Sequence, residues 1–517
     1  MGLAALIGAG LLTATGIGQE PQAPTFTRML MQEASLPAID RGLRDQDPPR
    51  AARGRDEADR MRAERADAGL PYLRGSVIVK FKPDATAGGI TAATRQVAGD
   101  TVDRSGSADF DLIGIPDDAD PEAAAAVLRA RPDVEYAQPR YRNYAMGRPN
   151  DPLYANQWNF PAIDMERAWD IQPGATTDII VAVLDSGVAF YSGTFRYNSS
   201  FPFRVTPGGP LYPALGIVDV PFAAAPELGT SGSTRFVAPR DFIWDDEFPV
   251  DLDSHGTHVA GTVGQLTNNN LGVAGMAYNV RIMPVKIIQA MWDDLFSSPN
   301  EGTDDVVARG IRYAADNGAK VINLSIGRSS GGPAPVVADA MRYAVGRGVF
   351  IAVASGNTRD RGNQPNRLAQ PAPEINGMVA VGAVGRTLDA AYYSTSGAFV
   401  ELSAPGGDQR AGGAGAGILQ QTLDLDLLET YERPTSQFGP PRADSFSYYY
   451  FQGTSMATPH VSGFAALLMQ QGVTSPAAIE AAMKLFATDK GVAGRDDLFG
   501  HGLINPRATL RGLGLAR

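Results

Sequence analysis

The sequence contains no cysteine and only four histidines among its 517 residues. The lack of cysteine excludes disulfide bonds, cysteine nucleophiles and metal sites built from thiolates. Histidine is the side chain that accepts a proton near neutral pH without a large pKa shift, so any imidazole base must be one of these four. They are His255, His258, His460 and His501.

A positive net charge is also missing, because 45 basic residues face 56 acidic ones and the formal charge is −11. This balance argues against a nucleic-acid partner and favours solubility. A hydrophobic content of 44% with 20% charged residues is typical of a soluble globular protein. A chain of this length has room for one large domain and smaller ones.

Apolar runs long enough to cross a bilayer are lacking as well. The N-terminal run in "MGLAALIGAGLLTATGIGQEPQAP" has roughly 15 residues, which is typical of a signal-peptide core rather than a membrane span. The basic residues that usually precede such a core are absent, which leaves open an upstream start and an uncleaved anchor. We interpret residues 1–19 as a signal peptide. We expect a secreted protein, extracellular or periplasmic, with no stable membrane insertion.

Residues 20–72 contain few large apolar side chains and many Arg, Asp and Ala, so we predict a disordered linker there. In residues 73–146 we predict a small α+β domain. The stretch "GSVIVKFKP" alternates like a strand, and "PEAAAAVLRARPDVEYAQP" predicts a helix followed by a strand. Gly, Pro and Asn in "MGRPNDPLYANQWNF" mark the boundary with the next domain.

From about residue 175 the pattern is typical of an α/β domain. Near-continuous apolar runs alternate with helical stretches, which favours a doubly wound parallel sheet. The apolar runs are "DIIVAVLD" (178–185), "VRIMPVKII" (280–288), "AKVINLSIG" (319–327), "GVFIAVASGN" (348–357) and "GMVAVGAV" (377–384). Because ligands bind at the carboxyl ends of such strands, Asp185, Ser325 and Asn357 are expected to converge on one edge of the sheet.

The stretch "FQGTSMATPHVSGFAALLMQ" (451–470) has two interpretations. It fits a capped helix start at which proline is tolerated, and it also fits an exposed nucleophile at Ser455. A serine nucleophile needs a base, and the base needs a carboxylate that fixes its tautomer. His255 in "LDSHGTHVAGT" and Asp185 supply those parts, and Asn357 supplies a donor for an oxyanion.

Three motifs, "VAVLDSGV", "HGTHVAGT" and "GTSMATPHVSG", resemble the signatures of the subtilisin-like serine peptidases, in the family's order Asp, His, Ser. The blocks "VINLSIG", "AVASGN", "LSAPGG" and "GHGLIN" extend the resemblance over roughly residues 147 to 510. Within the family, "PNDPLYANQWNF" and "TNNNLGVAG" are most similar to the thermitase/fervidolysin-type branch. The stretches "VIVKFKP" and "VEYAQPRY" resemble the inhibitor-like propeptide of that branch.

The resemblance implies a subtilisin-like three-layer α/β sandwich with a mostly parallel central sheet over residues 147–517, preceded by the propeptide domain. It implies a monomeric serine endopeptidase for polypeptide substrates, with Ser455 as nucleophile, His255 as general base and Asp185 as the orienting carboxylate. Asn357 and the Ser455 backbone N–H would form the oxyanion hole. The expected substrate-binding residues are Ser325, Ile326, Gly327, Ala354, Ser355 and Gly356.

Further roles follow from the same resemblance. Ala369 would lie near the base of an uncharged specificity pocket, so apolar or aromatic residues are expected before the scissile bond. Gly453 would let the substrate backbone approach, and Pro459 would fit the first turn of the helix. We expect the propeptide to inhibit the enzyme within the same chain, with self-cleavage between Tyr144 and Gly147.

The sequence departs from the family pattern at several places. Extra length near 190–240 and 407–450 predicts two insertions, and the first reads as a surface segment. The chemistry requires no cofactor, but a structural calcium ion is implied by resemblance. Its ligands would be the carbonyls of Leu266, Leu271 and Val273 with the side chains of Asn269 and Asp151. The family's "HPDL" loop, which donates a further ligand, is interpreted as absent, which leaves the site short of charge.

Two other classes remain open from the sequence. The serine-carboxyl peptidases share the fold and a "GTS" serine motif but use Glu in place of His, and the "HGTH" motif argues against them. A catalytically inactive secreted binding protein with this fold is the other. We interpret His258, His460 and His501 as packing or turn residues, and Asn323 as a structural hydrogen-bonding residue.

Overall fold

The computed structural model describes residues 72–101, 109–141, 148–204, 209–428 and 439–513. The chain divides into two compact units after residue 145. The predicted signal peptide, the linker up to residue 71 and the processing site at Tyr144–Gly147 lie outside the described residues. In the part of the chain that is described, no helix has the length and apolar character needed to cross a membrane.

The N-terminal unit is an antiparallel sheet with two helices. The strand order is β2-β3-β1-β4. The elements are β1 (Tyr72–Phe81), α1 (Ala87–Gln96), β2 (Asp100–Thr101), β3 (Asp111–Gly114), α2 (Pro121–Arg129) and β4 (Val134–Tyr141). Alternation along β1 buries Val77, Val79 and Phe81 against helix residues such as Leu128. The predicted strand and the predicted helix–strand pair are therefore confirmed.

A seven-stranded parallel sheet forms the centre of the C-terminal unit. Its order is β13-β12-β11-β10-β5-β9-β8. The strands are β5 (Ile180–Asp185), β8 (Arg240–Asp241), β9 (Arg281–Lys286), β10 (Val321–Leu324), β11 (Phe350–Ala354), β12 (Met378–Val384) and β13 (Leu402–Pro405). Every pairing among these described strands is parallel, so the predicted α/β fold is confirmed.

Helices cover both faces of this sheet. Val181 and Val183 point to one core and Ile180, Ala182 and Leu184 to the other, because successive strand residues face opposite sides. The helices that carry the argument are α5 (His255–Gly264) and α11 (Thr454–Gln470) in the first layer, and α7 (Asp304–Asp316) and α8 (Pro335–Gly346) in the second.

The other helices of this unit are short or peripheral. They are α3 (Asn159–Ala162), α4 (Met165–Trp169), α6 (Met291–Leu295), α9 (Gln409–Gly412), α10 (Leu425–Leu428), α12 (Pro476–Leu485) and α13 (Pro506–Gly512). Strand β5 lies between β9 and β10, because the chain adds β8 and β9 on one side of β5 and then crosses to β10 on its other side. A crevice at the carboxyl ends of β5 and β10 is the expected ligand position in such a fold.

Each predicted insertion contains an antiparallel hairpin. The first has β6 (Gly193–Ser199) and β7 (Gly216–Phe222), and the second has β14 (Ile418–Leu423) and β15 (Phe446–Phe451). The two touch, because Ala443 N donates to Pro221 O at 2.9 Å and Ala223 N donates to Ala443 O at 3.1 Å. The first is not merely a surface segment, since it buries its own aromatic rings, such as Tyr197.

Candidate active site

Asp185 and His255 meet at the carboxyl end of β5. Asp185 is the last residue of the strand and is fully buried, and its Oδ1 lies 2.7 Å from His255 Nδ1. His255 opens helix α5 after a left-handed turn at Ser254, whose φ is 88°. Because the carboxylate accepts, Nδ1 carries the hydrogen and Nε2 is left as the proton acceptor.

Charges around His255 control its titration. Burial disfavours the imidazolium, but the charge and hydrogen bond of Asp185 and the charges of Asp253 and Asp251 outweigh burial and raise the pKa of His255 to about 9. The imidazolium is therefore stabilised at the point where a proton would be taken up.

Asp251, which the sequence analysis did not identify, connects the end of β5 to the start of α5. Its Oδ1 accepts from Ser186 Oγ and Ser254 N, each at 3.0 Å, and its Oδ2 accepts from Thr257 N at 2.9 Å. The carboxylate thus joins the residue after Asp185 to the first turn of α5. An Asp shortly before a helix is a common cap signal, so its position carried a clue.

Ser455 is the second residue of helix α11, after Gly453, whose φ is 156°. Its Oγ donates to Ser325 O at 2.9 Å, and the hydrogen bonds of the described residues include none from this hydroxyl to His255. The structure thus brings Asp185 and His255 together but leaves the serine hydroxyl turned toward β10. Such bonds often form only when substrate is bound.

Pro459 corrects one expectation, because it is the sixth residue of α11 and not part of its first turn. A proline there has no N–H for the carbonyl four residues earlier, which belongs to Ser455. Ser325 Oγ donates to that Ser455 carbonyl at 2.8 Å instead. The hydroxyl of Ser325 itself accepts from Asn323 Nδ2 at 2.9 Å, so the predicted structural role of Asn323 agrees with its contacts.

Asn357 follows β11 and faces the start of α11. Its Oδ1 accepts from both Thr454 N and Thr454 Oγ1 at 2.9 Å, which fixes the amide orientation. The Nδ2 group is then the atom nearest to Gly453, 3.3 Å from where a β-carbon would stand there. Together with the Ser455 N–H at the positive end of the helix, Nδ2 can stabilise a developing oxyanion.

The expected substrate-binding segments, Ser325–Gly327 and Ala354–Gly356, follow adjacent strands. Asn366, which sequence reasoning missed, joins them by donating from Nδ2 to Ile326 O at 3.0 Å and to Ala354 O at 2.6 Å. Its side chain also lies against Gly327, where any β-carbon would clash. Ser355 and Ala369 are fully buried. The walls thus carry no charged side chain.

The remaining histidines have other surroundings. His258 is buried, donates from Nε2 to Ile418 O and Tyr449 O at 3.1 Å, and burial lowers its pKa to about 3. His460 is buried beside Asn159, and burial lowers its pKa to about 4. His501 is exposed. These contacts fit the packing and turn roles expected for them.

A carboxylate that the sequence interpretation missed lies against the loop implied to bind calcium. Glu227 in "PEL" is buried, accepts from Val273 N at 3.0 Å and lies beside Tyr448, so the site is not short of charge. Asp151, the other carboxylate, is also buried and accepts from Asn268 N at 2.9 Å. Burial raises the pKa of both carboxyl groups, and within the described residues neither has a basic partner.

The backbone of this loop fits a hard cation as well. The hydrogen bonds of the described residues include none to the carbonyl oxygens of Leu266, Leu271 and Val273, whereas Gly272 O accepts from Leu153 N at 2.7 Å. Oxygen atoms without donors beside two buried carboxylates are the ligand set that calcium prefers. No group of three or more His, Cys, Asp or Glu side chains suited to a metal occurs among the described residues, so carbonyls would have to complete the shell.

Comparisons with known proteins give consistent results. Residues 176–502 match the subtilase family, and residues 58–140 match the N-terminal prodomain of fervidolysin. A thermophilic serine proteinase of Bacillus sp. strain AK1 is 31% identical over 438 residues, which are 84% of this chain and 86% of that protein. Thermitase of Thermoactinomyces vulgaris is 30% identical over 69% of this chain and 97% of its own length.

Solved structures show the same fold. A protease of Pseudoalteromonas arctica matches with a TM-score of 0.51 at 27% identity, over 71% of this chain and 99% of its own. Fervidolysin of Fervidobacterium pennivorans, a keratinolytic enzyme related to subtilisin, matches with a TM-score of 0.51 at 24% identity. That match covers 86% of this chain and 62% of fervidolysin, and it shows the fold alone.

Proposed function

The chain belongs to the subtilase family and is a serine endopeptidase of the thermitase/fervidolysin branch, and from this premise we propose that Ser455, His255 and Asp185 form its catalytic triad. The observation that carries the proposal is the partly buried Asp185–His255 hydrogen bond of 2.7 Å at the sheet edge where α11 begins. The Asn357 amide, fixed by Thr454, adds the oxyanion donor.

The reaction follows from these positions. Ser455 Oγ turns from Ser325 O toward His255 Nε2, attacks the scissile carbonyl carbon and passes its proton to Nε2. The oxyanion receives hydrogen bonds from Asn357 Nδ2 and Ser455 N. Collapse breaks the C–N bond while the Nε2 proton moves to the leaving amine. Water, deprotonated by His255, then hydrolyses the acyl-enzyme and restores the serine.

Substrate would bind as an extended strand beside Ser325–Gly327, with the residue before the scissile bond entering between this segment and Ala354–Gly356. These walls are uncharged, so apolar or aromatic side chains should be preferred there. Selectivity among them should be modest, because a methylene group changes binding by only about 1–3 kcal/mol.

The direct test replaces the nucleophile. Ser455→Ala should lower turnover of a peptide with an apolar residue before the scissile bond by several orders of magnitude. The variant should also fail to react with a fluorophosphonate, which labels activated serines. Ser330→Ala, at an exposed serine, is the matched control and should keep both properties. Near-normal hydrolysis by folded Ser455→Ala would overturn the assignment.

The prodomain match supports a zymogen, and we propose that the prodomain inhibits the enzyme in the same chain and is removed by self-cleavage between Tyr144 and Gly147. The N-terminal apolar run supports secretion of the product. Wild type should yield a shortened chain whose new N-terminus lies in this segment. Ser455→Ala, purified without other proteases, should stay joined to residues 73–143, and identical trimming of both would exclude self-cleavage.

We also propose a structural calcium ion held by Asp151, Glu227, Asn269 and the three carbonyls of the loop. A cation that binds only the folded state stabilises it. Calcium should therefore raise Tm relative to chelator in the wild type and much less in Glu227→Gln. The exposed Glu247→Gln serves as control. An unchanged wild-type Tm in chelator would remove the proposal.

A further inference from the structure

A small cavity of about 170 Å³ lies between the first predicted insertion and the segment that follows it. Aromatic side chains make most of its wall. The lining consists of Phe195, Tyr197, Trp244, Asp246, Phe248 and Val250, with part of Arg196. No step of the proposed reaction uses any of these side chains.

The aromatic wall is held by contacts between rings. The Tyr197 and Trp244 rings lie 5.2 Å apart at 60°, and the Phe195 and Phe248 rings lie 5.5 Å apart at 63°. Tyr197 also stacks on Phe296 at 4.5 Å. Phe248 is 38% exposed, so one wall reaches solvent. The cavity is therefore firmly shaped and accessible.

One carboxylate supplies the net charge of the cavity. Alternation along β6 places Phe195 and Tyr197 on one face and the Arg196 side chain on the other, where its Nε bonds Asp219 Oδ1 at 2.8 Å. Asp246 accepts from Phe248 N at 2.8 Å. Among the residues that the structure describes, no ion pair within 4 Å involves Asp246. Burial raises the pKa of its carboxyl group, and the charges of Lys286 and Arg240 act to lower it.

The cavity wall is anchored next to the active centre. Val188 N, three residues after Asp185, donates to Pro249 O at 3.0 Å, and the neighbouring Val250 O accepts from Lys286 Nζ at 3.0 Å. Val250 lies five positions before His255, so their Cα atoms are at most roughly 18 Å apart. An extended peptide spans that distance with about five residues.

We propose that this cavity binds a lysine or arginine side chain of the polypeptide substrate, within about five residues of the scissile bond. A cation against aromatic faces is attracted by their negative face, and Asp246 provides the opposite charge. The proposal rests on the peptidase function. It adds a basic subsite to the uncharged pocket proposed for the residue before the scissile bond.

The test compares peptides that share one apolar residue before the scissile bond and carry a single lysine at each of five positions on either side. Norleucine, which is uncharged and lacks only the terminal nitrogen of lysine, is the reference at every position. At one position lysine should raise kcat/KM about three- to thirty-fold over norleucine. Asp246→Asn, which keeps an oxygen for Phe248 N, should abolish that preference. Asp219→Asn, on the opposite face of the hairpin, should keep it.

Equal rates for lysine and norleucine at all positions would overturn the proposal, as would a lysine preference that survives in Asp246→Asn. Faster cleavage with norleucine at the responsive position would show an apolar occupant instead. If no peptide is cleaved at all, the proposed function has failed. The subsite is then tested by measuring how tightly the same peptides bind. Fluorescence anisotropy with the wild-type chain, which in that case leaves the peptides intact, should then show tighter binding of the lysine peptide than of the norleucine peptide, and equal binding would overturn the subsite.

Discussion

On one side of the active centre uncharged groups make the supporting contacts, and on the other side carboxylates make them. The serine side consists of β10, β11 and the start of α11, where Asn323 donates to Ser325, and Ser325 and Asn366 donate to backbone carbonyls. The histidine side consists of the end of β5 and residues 251–257, where Asp185 and Asp251 accept most of the side-chain hydrogen bonds.

This difference means that pH should affect the protonation of His255 but not the shape of the oxyanion site. Amides and hydroxyls do not change charge between about pH 4 and 11, so the oxyanion site should keep its shape across that range. Carboxylates raise the pKa of His255 to about 9. Because the proposed mechanism needs the neutral imidazole, kcat/KM should rise with pH through that value. The same shift stabilises the folded chain fully below about pH 6.5, and that contribution is lost as pH rises through about 9.

The largest expected effect is on the histidine side, at Asp185→Asn. The amide removes the charge that stabilises the imidazolium and no longer fixes the tautomer, so kcat at neutral pH should fall about 10,000-fold. Kinetics from pH 6 to 11 measure the change, and the ratio of variant to wild type should vary with pH. A ratio that stays constant over that range would show that the charge of Asp185 does not change the titration of His255, and the two sides would then not differ in their response to pH.

Asn357→Ala makes the matching change on the serine side and should cost about 100- to 1,000-fold in kcat. No charge is lost, so the loss should be the same factor at every pH, and KM should change little. A pH-dependent loss, or a loss under about tenfold, would show that Nδ2 is not an oxyanion donor.

The two sides also differed in how far the sequence could predict them. Motifs with fixed spacing predicted Asp185, His255 and Ser455 as a triad, and the apolar runs predicted the strands of the sheet. These signals work because a strand end, a helix start and a reacting group must coincide.

The supporting residues belong to no motif of fixed spacing, although Asp251 occupies a common capping position before α5. Asp251, Asn366 and Glu227 act through side chains that reach segments far away in the sequence, as when Asn366 joins Ile326 O to Ala354 O. No periodicity records a contact of that kind. Pro459 was misplaced because the helix starts at Thr454, and only the structure shows that Ser325 takes over the bond that the proline cannot make.

Ser325→Ala tests whether the Ser325 hydroxyl replaces the missing N–H of Pro459 as donor to the Ser455 carbonyl. The free energy of unfolding should fall by about 1–3 kcal/mol, because the Ser455 carbonyl and Asn323 Nδ2 both lose their partner. The midpoint of urea unfolding measures the loss, which should be equal at pH 6 and pH 9. Ser330→Ala, at an exposed site, is the control. An unchanged midpoint in Ser325→Ala would mean that another group satisfies the carbonyl.

The smallest expected effect is at Asp253→Asn on the histidine side. The charge of Asp253 raises the pKa of His255, but its side chain is exposed, so solvent screens it. Removing the charge lowers the pKa of His255, so the acid limb of the kcat/KM profile should move to lower pH while its plateau stays. The Asn oxygen still accepts from His255 N, as Asp253 Oδ1 does at 3.3 Å.

Varying the ionic strength distinguishes an electrostatic effect of Asp253→Asn on His255 from a structural one. The displacement of the acid limb should be largest near 0.01 M salt, where the Debye length is about 30 Å, and should shrink toward zero near 1 M, where it is about 3 Å. Glu247→Gln, an exposed carboxylate eight residues before His255, should move the limb less at every salt concentration. An acid limb that does not move at low salt, or that moves equally at all salt concentrations, would show that the charge of Asp253 does not act on His255.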